Sequence, residues 1–330
     1  MILNTRFLAR RQLQRLEDRG YKMLSAVEME QFFLNRTTLE PLFHEADYNS
    51  TLILHKHENL LFDMQDKLTE SGIEVTSVKV ELSPGQFEFT LEPKFGIECA
   101  DMAFRCREAL IEVGLQHDVQ VTFMPKIGAK IFPAGAHYNH SLWTLGHECA
   151  FYDAEDPDKM SDVARYWIGG IQKHACAMTA VVCPTVNCYH RLHRPWTLSH
   201  NGWIIASRVH TFRMKVGEPG STYLENRLPS SASNPYLVMA ATIAAGVDGI
   251  QNKIEPVTGE GLEELPHSLD EALTLLEADE VLVEALGKDF VQMFCGIKRE
   301  LEIEKLKDVC ITEDREEDFE MERKMYLMTP

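Results

Sequence analysis

The 330-residue sequence has no apolar run long enough to cross a bilayer. Its longest candidate, Met239 to Val247, falls far short of the roughly 20 residues a spanning helix needs. It also lacks paired cysteines. Cys99, Cys106, Cys149, Cys176, Cys183, Cys188, Cys295 and Cys310 form no C-x-x-C pair. Structural zinc is therefore not expected, because the paired ligand spacing is missing, and the thiols read as reduced, in the cytosol. Positive charge is scarce, with 33 basic against 51 acidic residues and a net charge of -18. Such a surface repels nucleic acid and anionic membrane, so neither is expected as a partner. There is no Gly-rich phosphate loop, internal repeat or Gly/Ser/Pro-rich linker. That argues against a P-loop nucleotide site and for one continuous domain over residues 1–330.

What is present is a chain that is 45% hydrophobic, enough to bury a large core. Leu8, Leu13 and Leu16 share a helical face and Gly20 suits the helix end, so the arginine-rich start reads as a helix rather than a transit peptide. Tyr21 to Leu34 predicts a strand. Val75 to Leu82 and Phe87 to Leu91 predict two more, joined across Ser83-Pro84-Gly85. Helices are expected over Cys99 to Leu115, over Met160 to Thr179, and from Asn234-Pro235 to about Gln251. Val119 to Met124 and Ala180 to Cys183 look strand-like, and Trp203 to Met214 is a strand pair or one long strand. From Ser268 onward the pattern is helical. The mixture lacks clean βαβ units and predicts an α+β fold, an antiparallel sheet backed by helices.

Several polar residues sit in awkward company. Glu28 and Glu30, at i and i+2 of a strand, project from one face about 6.6 Å apart, flanked by Met23, Leu24, Val27, Phe32 and Phe33. Either that face is solvated or a cation sits between the carboxylates. Glu81 and Glu88 flank the Ser83-Pro84-Gly85-Gln86 turn, so a hairpin would bring them together. His137 stands alone after Pro133-Ala134-Gly135-Ala136, and Glu225 and Arg227 form another i, i+2 pair that could simply pair with each other. Five carboxylates and an imidazole would suit Mg2+ or Mn2+, and Arg191, Arg208, Arg213 and Arg227 offer forks for phosphate or carboxylate. Spacing alone does not show that these groups converge.

Longer segments add to this: Glu81-Leu82-Ser83-Pro84-Gly85-Gln86-Phe87-Glu88, Phe123-Met124-Pro125-Lys126, His140-Ser141-Leu142-Trp143, Pro184 to Leu192, Ala232 to Leu237, and Gly246-Val247-Asp248-Gly249-Ile250. With them the chain resembles the catalytic domain of class I glutamine synthetases and their relative lengsin. The resemblance implies a curved, mainly antiparallel sheet forming a half-barrel, with helices outside it. It implies that Glu30, Glu81 and Glu88 bind the metal that positions the amino acid, and that Glu28, His137 and Glu225 bind the metal on the ATP phosphates. Arg208 and Arg213 would meet the phosphates, with Ser141 also at the nucleotide. Arg191 and Arg227 would hold the carboxylate of a glutamate-like substrate and the transferring phosphate. The implied chemistry is phosphorylation of a γ-carboxyl followed by attack of an amine, in a ring-forming homo-oligomer.

The departures concern the amine. The family carries a catalytic Glu soon after the position of Arg191, but no Asp or Glu lies between Arg191 and Arg208 here; Trp196 or Thr197 takes its place. Neither side chain is a base near neutral pH. Phe132-Pro133 replaces an Asn-Gly loop and Tyr223 replaces an arginine near the ATP. The family's N-terminal β-grasp domain is not expected within residues 1–330. Two readings follow: a ligase acting on an amine other than ammonia, or a non-catalytic assembly protein like lengsin.

Overall fold

The computed structural model describes residues 4–45, 47–195 and 197–327. The strands are β1 (Tyr21–Asn35), β2 (Val75–Val80), β3 (Gln86–Leu91), β4 (Lys94–Phe95), β5 (Val119–Thr122), β6 (Ala136–Thr144), β7 (Trp203–Ile205), β8 (Phe212–Lys215) and β9 (Tyr223–Asn226). Among the described residues they form one sheet in the order β2-β3-β1-β6-β9-β8-β7, with β4 and β5 also pairing with β1. Every pairing is antiparallel except β7 with β8. The helices are α1 (Thr5–Glu17), α2 (Thr51–Lys56), α3 (Glu58–Glu70), α4 (Ile97–Gln116), α5 (Asp162–Val182), α6 (Pro235–Asn252), α7 (Leu269–Ala278), α8 (Glu280–Leu286), α9 (Lys288–Lys298) and α10 (Glu316–Tyr326). This is the expected mixed fold with a mostly antiparallel sheet. No helix among the described residues is long and apolar enough to cross a membrane.

The sheet separates two environments. On β6, His140 is buried and accepts a 3.0 Å hydrogen bond from the Trp167 indole of α5. Successive strand residues point to opposite faces. His137 and Asn139 therefore face away from α5, on the side that carries the polar groups. Helices α5 and α6 pack closely through glycines: a Cβ on Gly170 would overlap the Ala245 carbonyl, and one on Gly249 the Tyr166 carbonyl. Helix α6 starts where expected, with the Asn234 side chain accepting from the amides of Tyr236 and Leu237 and Pro235 in the first turn. Helix α1 buries Leu8 and Leu16, and Gly20 takes φ +86° where the chain turns into β1.

Two expectations change, and between the alternatives for Trp203 to Met214 the strand pair stands. Ala180 to Val182 continue α5 rather than starting a strand, because that end of the helix is buried on all sides and its apolar run carries no period. Trp203 to Met214 resolves as two short strands, and the loop between them carries Arg208. Strand β6 and helices α2 and α3 lie where no element was expected.

Candidate active site

Strand register assembles the site. Glu30 of β1 pairs with Glu88 of β3, which pairs with Lys79 of β2. On the other flank, Glu28 pairs with His137 of β6, and Asn139 with Glu225 of β9, which pairs with Arg213 of β8. The hairpin brings in Glu81 through Gly85, whose φ of +68° makes the turn, with no room for a Cβ beside the Phe33 carbonyl. Apart from Asn139, these side chains line a cavity of about 820 Å3, together with Arg191, Arg208 and Arg227. Of the residues expected to hold metal, phosphate or substrate, all but Ser141 are among its lining. That residue sits on the same strand face as His137, four residues along, where its hydroxyl accepts from Trp143.

Two triads offer ligand atoms within 4.8 Å of one another: Glu30 with Glu81 and Glu88, and Glu28 with His137 and Glu225. His137 lies between them, with Nδ1 3.2 Å from Glu28 and Nε2 3.9 Å from Glu30. The Gln86 amide and the Gly135 N–H both donate to Glu30 Oε2, at 3.0 and 2.9 Å, which orients Oε1 inward. Thr90 donates to Glu88 Oε1, and Asn139 to Glu28 Oε1. Burial, reinforced by the Glu81 charge, pushes the Glu30 carboxyl up to about 7. Burial followed by Glu30 and Glu28 does the same to Glu88. Burial also works against Glu28, but His137, Lys215 and Asn139 outweigh it and hold that carboxyl at about 2.

The cavity also holds cations that the sequence did not single out. Lys79 Nζ lies 2.9 Å from Glu81 and 3.0 Å from Glu88, and Lys215 Nζ lies 3.0 Å from Glu225. Arg213 and Arg227 donate to the two Glu225 oxygens at 3.0 and 2.8 Å. Five carboxylates and six lysine or arginine side chains line the cavity. The carboxylates of the pocket are thus nearly balanced by its cations. Arg191, almost buried, is pinned by the carbonyls of Leu228 and Arg227 at 2.8 Å each. A hard divalent ion fits the Glu30, Glu81 and Glu88 triad, where three carboxylates share one lysine and two are pushed toward protonation. At the second triad Glu225 is already satisfied by three cations.

Residues 3–322 match the family model described as glutamine synthetase, catalytic domain. The chain belongs to the glutamine synthetase family. It is 33% identical over 309 residues to a glutamine synthetase of Thermotoga maritima, covering 88% of this chain and 70% of that enzyme. It is 30% identical over 334 residues to lengsin of Rattus norvegicus, covering 92% of this chain and 56% of lengsin. A glutamate–isopropylamine ligase of a Pseudomonas species is 26% identical over 317 residues, covering 90% and 69%. Among solved structures, a GmaS/ADP complex superposes with a TM-score of 0.83 at 28% identity, covering 92% of this chain and 74% of that one.

Within this glutamine synthetase family member, the exposed lining of the cavity combines the polar Tyr48, Ser77 and Arg208 with an apolar patch. Leu82, Phe132 and Val209 are 49%, 43% and 68% exposed, and Leu198 and Pro133 join them in the lining. Of the two candidates for the missing acid's place, Trp196 lies outside the described residues. Thr197 lines the cavity, with its hydroxyl bonded to the Arg194 carbonyl at 2.9 Å.

Proposed function

We propose that this protein is an ATP- and divalent-metal-dependent carboxylate–amine ligase that takes an amine other than ammonia. The observation that carries the reading is one cavity holding both carboxylate triads and all four expected arginines. In the reaction, the γ-phosphoryl of ATP passes to a γ-carboxylate, giving an acyl phosphate and ADP. The amine nitrogen then bonds to that carbonyl carbon, the carbon–oxygen bond to phosphate breaks, and the departing phosphate takes up the proton the nitrogen loses. Arg208 and Arg213 hold the ATP phosphates, while Arg191 and Arg227 hold the carboxylate and the group in transfer. Bound to Glu30, Glu81 and Glu88, and to Glu28, His137 and Glu225, Mg2+ or Mn2+ supplies charge neutralisation for the phosphoryl group. ATP phosphates compete for Arg213 and Lys215, which frees Glu225 to act as a ligand. Ser141, outside the cavity lining, has the weakest claim to the nucleotide.

The apolar patch at the mouth takes over part of the missing acid's work. Leu82, Phe132 and Val209 strip water from an incoming ammonium group, and desolvation lowers its pKa toward the reactive neutral form. The named activity of the Pseudomonas relative, glutamate–isopropylamine ligation, supports an alkylamine. The test is phosphate release from ATP with Mg2+ or Mn2+, glutamate and a panel of amines. Release that depends on an alkylamine supports the reading, and none above a Glu88→Ala control removes it.

A second reading, a lengsin-like assembly protein, is favoured by Lys79 and Lys215, which satisfy the carboxylates internally. Calorimetry with Mg-ATP separates the two, because tight nucleotide binding belongs to the ligase. A ring-shaped homo-oligomer and a reducing compartment for the eight unpaired thiols accompany either reading, and mass photometry measures the assembly.

A further inference from the structure

Three side chains unused by the chemistry above meet at the base of the loop over residues 193–198. His193, Glu264 and His267 each present one ligand atom, and these atoms lie within 4.8 Å of one another. Glu264 Oε1 is 3.5 Å from His193 Nδ1 and 3.2 Å from His267 Nε2. A tetrahedral ion with bonds of about 2.0–2.1 Å sets its ligand atoms about 3.3–3.4 Å apart. Two of the three edges are therefore already at ligand spacing.

The other nitrogen of His193 strengthens the case. Its Nε2 faces the Pro266 carbonyl at 3.3 Å. A carbonyl only accepts, so in the tautomer that donates Nε2–H to it, Nδ1 keeps the lone pair that a metal shared with Glu264 would take. Metal-bound imidazoles are held in this way by a carbonyl on the far nitrogen. The two imidazole rings stack with centroids 3.9 Å apart. His267, whose side chain is 52% exposed, is free to turn its nitrogen out of the stack onto a shared ion.

We infer that His193, Glu264 and His267 bind a transition ion of the zinc class, with a fourth position open to water. Two imidazoles and one carboxylate select Zn2+ over the Mg2+ and Mn2+ suited to the carboxylate-rich triads. The absence of paired cysteines excludes a thiolate zinc site only; here the fold gathers nitrogen and oxygen ligands from two distant segments. The ion would tie the loop base to the 263–267 segment, which already bonds to it through Leu265 N to Ser199 O at 2.9 Å and Asn201 N to Glu263 O at 3.0 Å. His193 N donates to Leu198 O at 2.9 Å, and Leu198 lines the active cavity. Zinc would therefore stiffen the loop that borders the proposed amine entrance.

The test uses the full chain carrying Glu88→Gln and Glu225→Gln, so that neither triad competes for the ion. This parent is stripped of metal, titrated with Zn2+ by calorimetry and with Co2+ by visible absorption, and compared with the same chain carrying His267→Ala. The parent should bind one Zn2+ per chain, give the intense band of tetrahedral Co2+, and show slower hydrogen exchange over 193–198. His267→Ala, a surface change, should weaken Zn2+ at least about tenfold and abolish the Co2+ band with an unchanged circular dichroism spectrum. His193→Asn is the second variant, because Asn tolerates the φ of +58° at this position, and it should behave alike. A parent that binds no Zn2+, or variants that bind it as tightly as the parent, would overturn the inference. Because both triads are disabled in every arm, the result is independent of the ligase reading.

Discussion

Replacing Lys79 with Met removes one charge from the Glu30, Glu81 and Glu88 triad and keeps most of the stem. The ammonium lies 2.9 and 3.0 Å from Glu81 and Glu88, where it opposes entry of a divalent ion. A unit charge and a divalent ion about 4 Å apart repel by roughly 8 kcal/mol at an effective dielectric of about 20. The lysine does not bear that in full. Its side chain is 30% exposed and swings toward water, where screening reduces the penalty to about 1 kcal/mol. Lys79→Met should therefore bind Mn2+ about 5-fold more tightly, read from the free-ion signal in electron paramagnetic resonance. The gain should be full near about pH 8 and smaller near neutrality. Without Lys79, Glu30 and Glu88 hold protons more strongly, and those protons must leave when the ion arrives. Calorimetry in two buffers of different ionisation enthalpy should show more protons released by the variant. Equal or weaker Mn2+ binding by Lys79→Met near pH 8 would refute the claim that this lysine acts as the triad's internal cation.

Glu30 titrates at about 7 in the folded chain against 4.5 when exposed, so the folded state binds more protons in between and stability falls as pH rises through that window. The slope is worth up to about 3 kcal/mol for this carboxyl; thermal melts without metal should show it, and Glu30→Gln or added Mn2+ should flatten it. His174 lies between Asp248 and Asp279; burial opposes its proton, but both carboxylates raise its pKa above 6.5. Its contribution is therefore full below about pH 6.5 and lost as pH rises through the folded value, so His174→Gln should cost about 2 kcal/mol in acid and less at high pH, measured by urea titration. Gly249→Ala drives a methyl into the Tyr166 carbonyl across the α5–α6 contact and should lower the urea midpoint by the equivalent of about 1–3 kcal/mol.

How much of this was legible depends on the range of the signal. Strand β1 and the β2–β3 hairpin announce themselves through alternation and Ser83-Pro84-Gly85, because both cues are local. Strand β6 was hidden because its helix-facing row includes His140, a polar residue tolerated only because the Trp167 indole donates to it from α5. Lys79 shares the parity of Glu81, so its presence on the same face was readable. Its placement opposite Glu88 needed the register, which long-range pairing sets. His193 and His267 come together only through tertiary packing, and no spacing rule would pair them.

Charge shows most plainly what composition leaves open. The net charge of -18 describes the surface field, while a buried cluster is governed by its own desolvation. Glu225, 2% exposed, could not remain ionised without partners, and Arg213, Lys215 and Arg227 supply them at 2.8 to 3.0 Å. Those cations converge on Glu225, with Lys215 also 4.0 Å from Glu28, and remain open to a better anion. A triphosphate entering the cavity would exchange one set of ion pairs for another. Its binding should therefore depend on Arg213 and Lys215 more steeply than on the protein's overall charge.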